Sequence, residues 1–362
     1  MWDNLTTNYK TLRLNRLLGE WIRCGHKSFE KWRYYSNSRK KAITLRKKVI
    51  NKKGGSCITS RMKSEMKEEM MERFGDKGHW VWIALYTELK GEYKKGWMPN
   101  DIYEYVIIRN LNPYHLSAIS TIKTFDHRIF ESFSVEPIAL YIARQFYDSK
   151  QMLISEKDFE NKMKSLNQEV VIKPDSGPSG FGHRFLWPDE ISTEDLKGSI
   201  NYVIQPVIKQ HDTLSRFSLR SVNTLRITTF ITKAGNVQFK YILLRFGIGE
   251  SRVDNMVAGG CMIYLDQDGN ICSPAYNHLG MKISDVHPDT GLIFSDIRVP
   301  GVRKAINKCI EAHRLFPYLR FIAWDVCIDL NTKPVLLEWN ARCPDILTEE
   351  ALKGPIWADE EI

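Results

Sequence analysis

The sequence lacks a cysteine framework. Its seven cysteines (Cys24, Cys57, Cys261, Cys272, Cys309, Cys327 and Cys343) are scattered, odd in number and free of any CxxC pair. That pattern excludes a disulfide scaffold and a zinc module of the usual spacing, and it favours a reducing, cytoplasmic setting. No apolar run reaches about 18 residues, so no membrane-spanning helix is expected. The start, Met1-Trp2-Asp3-Asn4, has no basic stretch followed by an apolar core, so no signal peptide is expected either. Neither a GxxxxGK[ST] loop nor a GxGxxG turn occurs, which removes the two commonest short phosphate-binding motifs.

Most of the chain also lacks positive charge. The 362 residues carry a formal net charge of +9, but residues 1–53 hold fifteen lysines and arginines against three acids. The rest has 37 basic and 40 acidic side chains, a net charge of −3. The basic character therefore belongs to one segment and not to a surface spread over the body. With no base-reading module in that body, nucleic acid is not an expected partner.

What is present is ample material for a core: 43% hydrophobic residues and ten tryptophans. Two or three domains are expected from the length. Residues 4–50 read as helical, with Leu5, Tyr9, Leu12, Leu17, Trp21 and Ile22 at roughly three- and four-residue spacing. Basic and aromatic residues interleave through this stretch, which Lys52-Lys53-Gly54-Gly55-Ser56 ends as a linker. Such a segment lies on an anionic membrane surface or docks with its basic face solvated. Ser60 opens a second helix over Arg61 to Phe74, stopped by Gly75. Further helical stretches are expected at Trp80–Leu89 and Pro137–Tyr147.

Beyond residue 168 the texture turns to strands and hairpins. Glu169 to Lys173 and Tyr202 to Ile208 are apolar strands. Hairpins are expected around Ala234-Gly235-Asn236, Asp268-Gly269-Asn270 and Asn331-Thr332-Lys333-Pro334. A helix is expected at 301–315. Hairpins dominate, so the fold class is α+β with antiparallel sheets, not a doubly wound parallel sheet.

Several constellations carry chemistry. Lys173 ends a strand that runs into Pro174-Asp175-Ser176-Gly177-Pro178-Ser179-Gly180-Phe181-Gly182. Glycines let backbone N–H groups approach phosphate oxygens, and the lysine adds a point charge. A plain turn is the alternative. In the last hairpin, Glu338 and Asn340 share one strand face, and the turn brings Asp325 across from them. Two carboxylates and an amide oxygen suit Mg²⁺, and so apolar a hairpin makes a solvated charged face the weaker reading. Asp329 has the parity of Asp325 and is the rival ligand. Arg226, in Asn223-Thr224-Leu225-Arg226, starts a strand as an anion clamp or as half of a structural salt bridge. Asp254-Asn255 and Gly259-Gly260 border a site or make turns.

The order of these elements resembles the ATP-grasp superfamily. Gln210-His211 after the hinge strand and the Asn223-to-Ile227 stretch make the chain similar to its sugar-transfer-associated members in cell-surface polysaccharide synthesis. The resemblance covers roughly residues 120–345. It implies two α+β subdomains with antiparallel sheets gripping ATP, preceded by a mostly helical N-terminal region. The expected division is a basic helical segment at 1–56, a helical or mixed domain at 57–120, a lid subdomain at 121–207, a metal-bearing subdomain at 208–350 and a tail at 351–362. It further implies that Lys173 contacts the ATP phosphates, with Ser176, Ser179 and Gly180 in the loop that closes over them. Gln205, Pro206 and Val207 would form the adenine hinge, and Gln210 or Asp212 would reach the ribose. Arg226 would stabilise the transferred phosphoryl group. Asp325, Glu338 and Asn340 would hold Mg²⁺.

Two positions depart from the family pattern. His127 stands where members carry a second phosphate-binding lysine, with Lys123 as the alternative, and Gln205 replaces a glutamate. The implied activity is an ATP- and Mg²⁺-dependent carboxylate–amine ligase that forms an amide through an acyl phosphate. Its small-molecule carboxylate and amine would include an amino sugar or sugar acid, free, nucleotide-linked or lipid-linked. The alternatives are a phosphotransferase on a sugar hydroxyl and a non-catalytic membrane-associated assembly component. The location implied is cytoplasmic, at the inner membrane face if residues 1–53 contact lipid.

Overall fold

The computed structural model describes residues 3–175, 182–198, 200–218, 220–249 and 259–360, with side chains from Ser28 onward except that of residue 195. The chain divides into two compact units, Met1–Tyr105 and Val106–Ile362.

The first unit is helical. Its helix α1 runs from Asp3 to Lys53 and buries Tyr35, Ser38, Ala42 and Val49, a spacing that puts them on one side. Helix α2 spans Ser60–Phe74; Thr59 caps its start by accepting from the Met62 N–H, and Gly75 ends it in the left-handed conformation. Helix α3, Trp80–Lys90, is buried almost all round, as its apolar run from Trp80 to Tyr86 requires. The buried Glu88 of α3 is satisfied by Arg46 of α1 at 2.8 Å and by the Cys57 N–H at 3.1 Å.

In the second unit the described strands form two antiparallel sheets. The first sheet contains β1 (Ala139–Ile142), β2 (Gln145–Tyr147), β3 (Leu153–Ile154), β4 (Val170–Pro174), β5 (Arg184–Leu186) and β6 (Tyr202–Pro206), in the order β3-β2-β1-β6-β4-β5. Helix α4, Glu156–Lys164, lays Phe159 and Met163 on the face that carries Ala139, Tyr141, Ile172 and Ile204. Alternation then turns Lys173 to the opposite face from Ile172. The helix expected at Pro137–Tyr147 is instead the β1–β2 hairpin. Its turn residues Ala143 and Arg144 adopt φ of 50° and 66°, values for which glycine or asparagine is the usual signal.

The second sheet contains β7 (Thr224–Ile231), β8 (Val237–Phe246), β9 (Cys261–Tyr264), β10 (Ala275–Tyr276), β11 (Lys282–Ser284), β12 (Phe321–Ile328) and β13 (Pro334–Asn340). Their order is β11-β10-β9-β8-β7-β12-β13. Helix α5, Val302–His313, presents Val302, Ala305, Ile306, Cys309 and Ala312 to a core that includes Ile227, Ile242, Leu244, Trp324 and Trp339. The same alternation leaves Arg226, Asp325, Glu338 and Asn340 on the other face. A short helix α6, Leu347–Lys353, follows β13 and is buried from Leu347 to Ala351.

Candidate functional site

Strand pairing builds the carboxylate side of the site. Asp325 stands opposite Glu338 on β13 and opposite Arg226 on β7, and a register shift follows it at Val326. Arg226 grips Asp325 with two parallel hydrogen bonds, Nε to Oδ1 and Nη2 to Oδ2, the latter at 2.9 Å. Arg245, brought alongside by the pairing of β7 with β8, puts Nη2 3.2 Å from Asp325 Oδ2. Burial alone would raise the Asp325 pKa, but the two guanidiniums hold it below the usual carboxylate range. Asn340 Nδ2 lies 3.4 Å from the same carboxylate.

The cationic side comes from the first sheet and the turn before it. Lys123 and Lys173 are both buried. Asp175, two residues after Lys173, accepts from the N–H and hydroxyl of Thr124 at 2.8 and 3.0 Å, so the segments carrying the two lysines are pinned together. Lys123 Nζ lies 3.9 Å from Glu338 Oε1 and 3.5 Å from His183 Nε2. Burial and the charge of Lys123 lower the Lys173 pKa to about 8. Burial and both lysines push His183 down to about 3, which keeps its imidazole neutral. Asp126 lies in the same group; burial raises its carboxyl to about 8 despite the hydrogen bond it accepts from Trp339. Four cationic side chains thus face Asp325, Glu338 and a poorly ionised Asp126, a concentration of positive charge suited to a polyanion.

The other expected site residues fall as follows. His127 is turned to Ser134, with Nδ1 3.1 Å from its hydroxyl, so Lys123 and not His127 stands beside Lys173 and Glu338. Gln205 is buried and donates to the Val135 carbonyl at 3.0 Å; Pro206 ends β6, and the Val207 N–H goes to the Glu169 carbonyl at 3.1 Å. Gln210 spends both ends of its amide on its own loop, donating to Ser218 and Ser221 carbonyls and accepting from Asn223. Of the two ribose candidates, Asp212 is the more exposed. Asp329, the rival to Asp325, accepts from the N–H groups of Asn331 and Lys333, which fixes it in the hairpin turn. Ser176, Ser179, Gly180, Asp254 and Asn255 lie outside the described residues.

Sequence reasoning missed Arg245, which only the strand register brings to Asp325. It also missed Glu349, buried on α6, whose pKa is raised to about 7 by burial and Asp345, against the pull of Arg226. The donor set of Asp325, Glu338 and Asn340 fits Mg²⁺ chemically. It is oxygen-only, Asp325 is held ionised, and a quarter of the Glu338 side chain remains exposed. Histidines, cysteines and carboxylates alone form no three-membered cluster among the described residues.

The chain resembles the ATP-grasp superfamily, and residues 192–354 match the family described as sugar-transfer associated ATP-grasp. Matching solved structures include N5-carboxyaminoimidazole synthetase from Staphylococcus aureus complexed with ADP, at 9% identity and TM-score 0.36, over 62% of this chain and 44% of that one. D-cycloserine synthetase DcsG matches at 11% identity and TM-score 0.41, over 68% of this chain and 71% of that one. D-alanine–D-alanine ligase from Bacillus anthracis complexed with ATP matches at 12% identity and TM-score 0.33, over 62% of this chain and 54% of that one. The chain spans less than half the length of the first of these. No curated protein matches the chain. Among the described residues no helix is long and apolar enough to cross a membrane.

Proposed function

We propose that the protein is an ATP-dependent ligase that joins a small-molecule carboxylate to an amine through an acyl phosphate. The observation that carries this reading is the convergence of Lys123 and Lys173 on Glu338, beside the Asp325 carboxylate clamped by Arg226 and Arg245. Two buried lysines without two matching fixed carboxylates are costly unless an anion joins them. The triphosphate of ATP is the anion that the family resemblance supplies.

In this reading Lys123 and Lys173 bind the phosphates, and the pinned Thr124–Asp175 contact keeps both ammonium groups in place before ATP arrives. Gln205, Pro206 and Val207 border the adenine, and Asp212 is the more exposed of the two candidates for the ribose. Asp325, Glu338 and Asn340 would hold Mg²⁺, which when bound neutralises polyphosphate charge. Arg226 and Arg245 stabilise charge on the phosphoryl group as it passes to the substrate carboxylate, which is positioning plus electrostatics with no covalent enzyme intermediate. The amine then attacks the acyl carbon, the amide C–N bond forms, and phosphate leaves.

The similarity of residues 192–354 to sugar-transfer associated proteins supports an amino sugar or sugar acid of a capsule or O-antigen polysaccharide as one substrate. Carboxylate-dependent ADP release in the presence of hydroxylamine tests the reading, because a hydroxamate reports the acyl phosphate directly. A product heavier by a phosphate identifies a sugar phosphotransferase instead. Absence of Mg·ATP binding at millimolar nucleotide identifies a non-catalytic component.

A further inference from the structure

The solvent side of α1 has no part in the nucleotide site and an unusual composition. Phe29, Trp32, Ser36, Lys40, Ile43 and Lys47 follow one another at three- and four-residue spacing, so they form one stripe along the helix. Phe29 and Trp32 are 57% and 64% exposed, with their rings 5.8 Å apart, and Ile43 is 42% exposed. The opposite side is used up: Tyr35, Ser38, Ala42 and Val49 are buried.

Charge is sorted in the same way. Between Ser28 and Lys53 there are ten basic residues and a single acid, Glu30. Arg39 pairs with Asp76, Arg46 with Glu88, and Lys53 donates to the Glu88 carbonyl. The other seven (Lys31, Arg33, Lys40, Lys41, Lys47, Lys48 and Lys52) are all exposed. Phe29 to Lys47 covers about 27 Å of helix. An exposed apolar stripe flanked by cations has a specific physical complement. The rings and Ile43 gain by entering the boundary between headgroups and acyl chains, and the lysines reach outward to anionic headgroups. A nucleic-acid phosphate backbone would satisfy the lysines and leave Ile43 and Phe29 in water.

We propose that this face of α1 is a docking surface for an anionic lipid bilayer, with Phe29 and Trp32 inserted and the exposed lysines on the headgroups. The surface does not depend on the chemistry assigned to the second unit, and it places the chain on the membrane without crossing it.

The test uses the full-length protein, because α1 also builds the core of its own unit. Co-sedimentation is measured with phosphatidylcholine vesicles, with and without phosphatidylglycerol. The wild type partitions onto the anionic vesicles, is weak on phosphatidylcholine alone, and is released by added salt. Phe29→Ala with Trp32→Ala lowers partitioning by about tenfold or more, since two inserted rings are lost. Lys40→Glu with Lys47→Glu lowers it by at least about fivefold per lysine. Both pairs alter only exposed side chains, and each acts on a different force, so a melting curve matching wild type for either suffices. Failure of the wild type to bind anionic vesicles overturns the proposal, as does wild-type partitioning by both variants. Salt-sensitive retention on duplex DNA without vesicle binding overturns it in favour of a nucleic-acid surface.

Discussion

Trp339 donates its indole N–H to Asp126 across 2.9 Å, and both side chains are buried. Trp339 sits between Glu338 and Asn340, and Asp126 lies three residues after Lys123. This one hydrogen bond therefore registers the lysine-bearing turn against the strand that carries the proposed metal ligands. Trp339→Phe keeps an aromatic ring, though a smaller one, and removes the donor. It is expected to cost about 1–3 kcal/mol in urea unfolding, the penalty for a buried carboxyl left without its partner. It should also weaken Mg·ATP binding in calorimetry. Unchanged affinity in a destabilised variant would show that the hydrogen bond sets stability without setting the site.

Lys173 is predicted to trade stability for binding. Burial and Lys123 lower its pKa to about 8, so folding disfavours its charged form. The unfolded chain holds this proton more tightly, so the penalty is present in full below about 8 and fades as pH rises toward about 10.4. Lys173→Met should therefore melt at a higher temperature than wild type at pH 7, with the gain shrinking as the pH rises above about 8. The same variant should lose Mg·ATP binding by at least about tenfold, as expected when a charge-assisted contact to phosphate is removed. A variant that is more stable and still binds nucleotide would detach Lys173 from the phosphates.

Asp325 is predicted to be costly in the opposite direction. Removing its charge takes away the buried carboxylate that Arg226 and Arg245 share. Asp325→Asn should destabilise the fold by about 3–5 kcal/mol, the usual cost of breaking a buried pair from one side. It should also abolish the Mg²⁺ dependence of nucleotide binding. A silent substitution in thermal unfolding would mean that the guanidiniums find other partners.

The legible parts of this molecule are those in which local chemistry and tertiary pairing agree. The β12–β13 hairpin was readable because an apolar run, the Asn331–Pro334 turn and a second apolar run leave one register that puts Asp325 against Glu338. The β1–β2 hairpin was not, because Ala143 and Arg144 take positive φ with no glycine or asparagine to signal it. Arg245 was hidden by its distance from Arg226 in the chain; only the pairing of Thr224 with Arg245 brings them to one carboxylate. Gln210 was visible as a residue, yet its partners at Ser218, Ser221 and Asn223 depend on a loop path that no pattern encodes.

Glu349 offers a pH test of the face that α6 covers. Its pKa is raised to about 7 by burial and Asp345, while Arg226 pulls the other way. Tyr241 and Tyr264 also feel its charge, and Lys353 faces it from the end of the same helix. The folded chain holds this proton more tightly than the unfolded chain does. The stability it contributes is therefore full below about 4.3 and is lost as pH rises to about 7. Glu349→Gln keeps the shape and removes the titration. Relative to wild type, its melting temperature should rise progressively from pH 4 to pH 7 and level off above. A difference that stays flat over that range would place the Glu349 pKa at its ordinary value and remove the acidic pair from the electrostatics of Arg226.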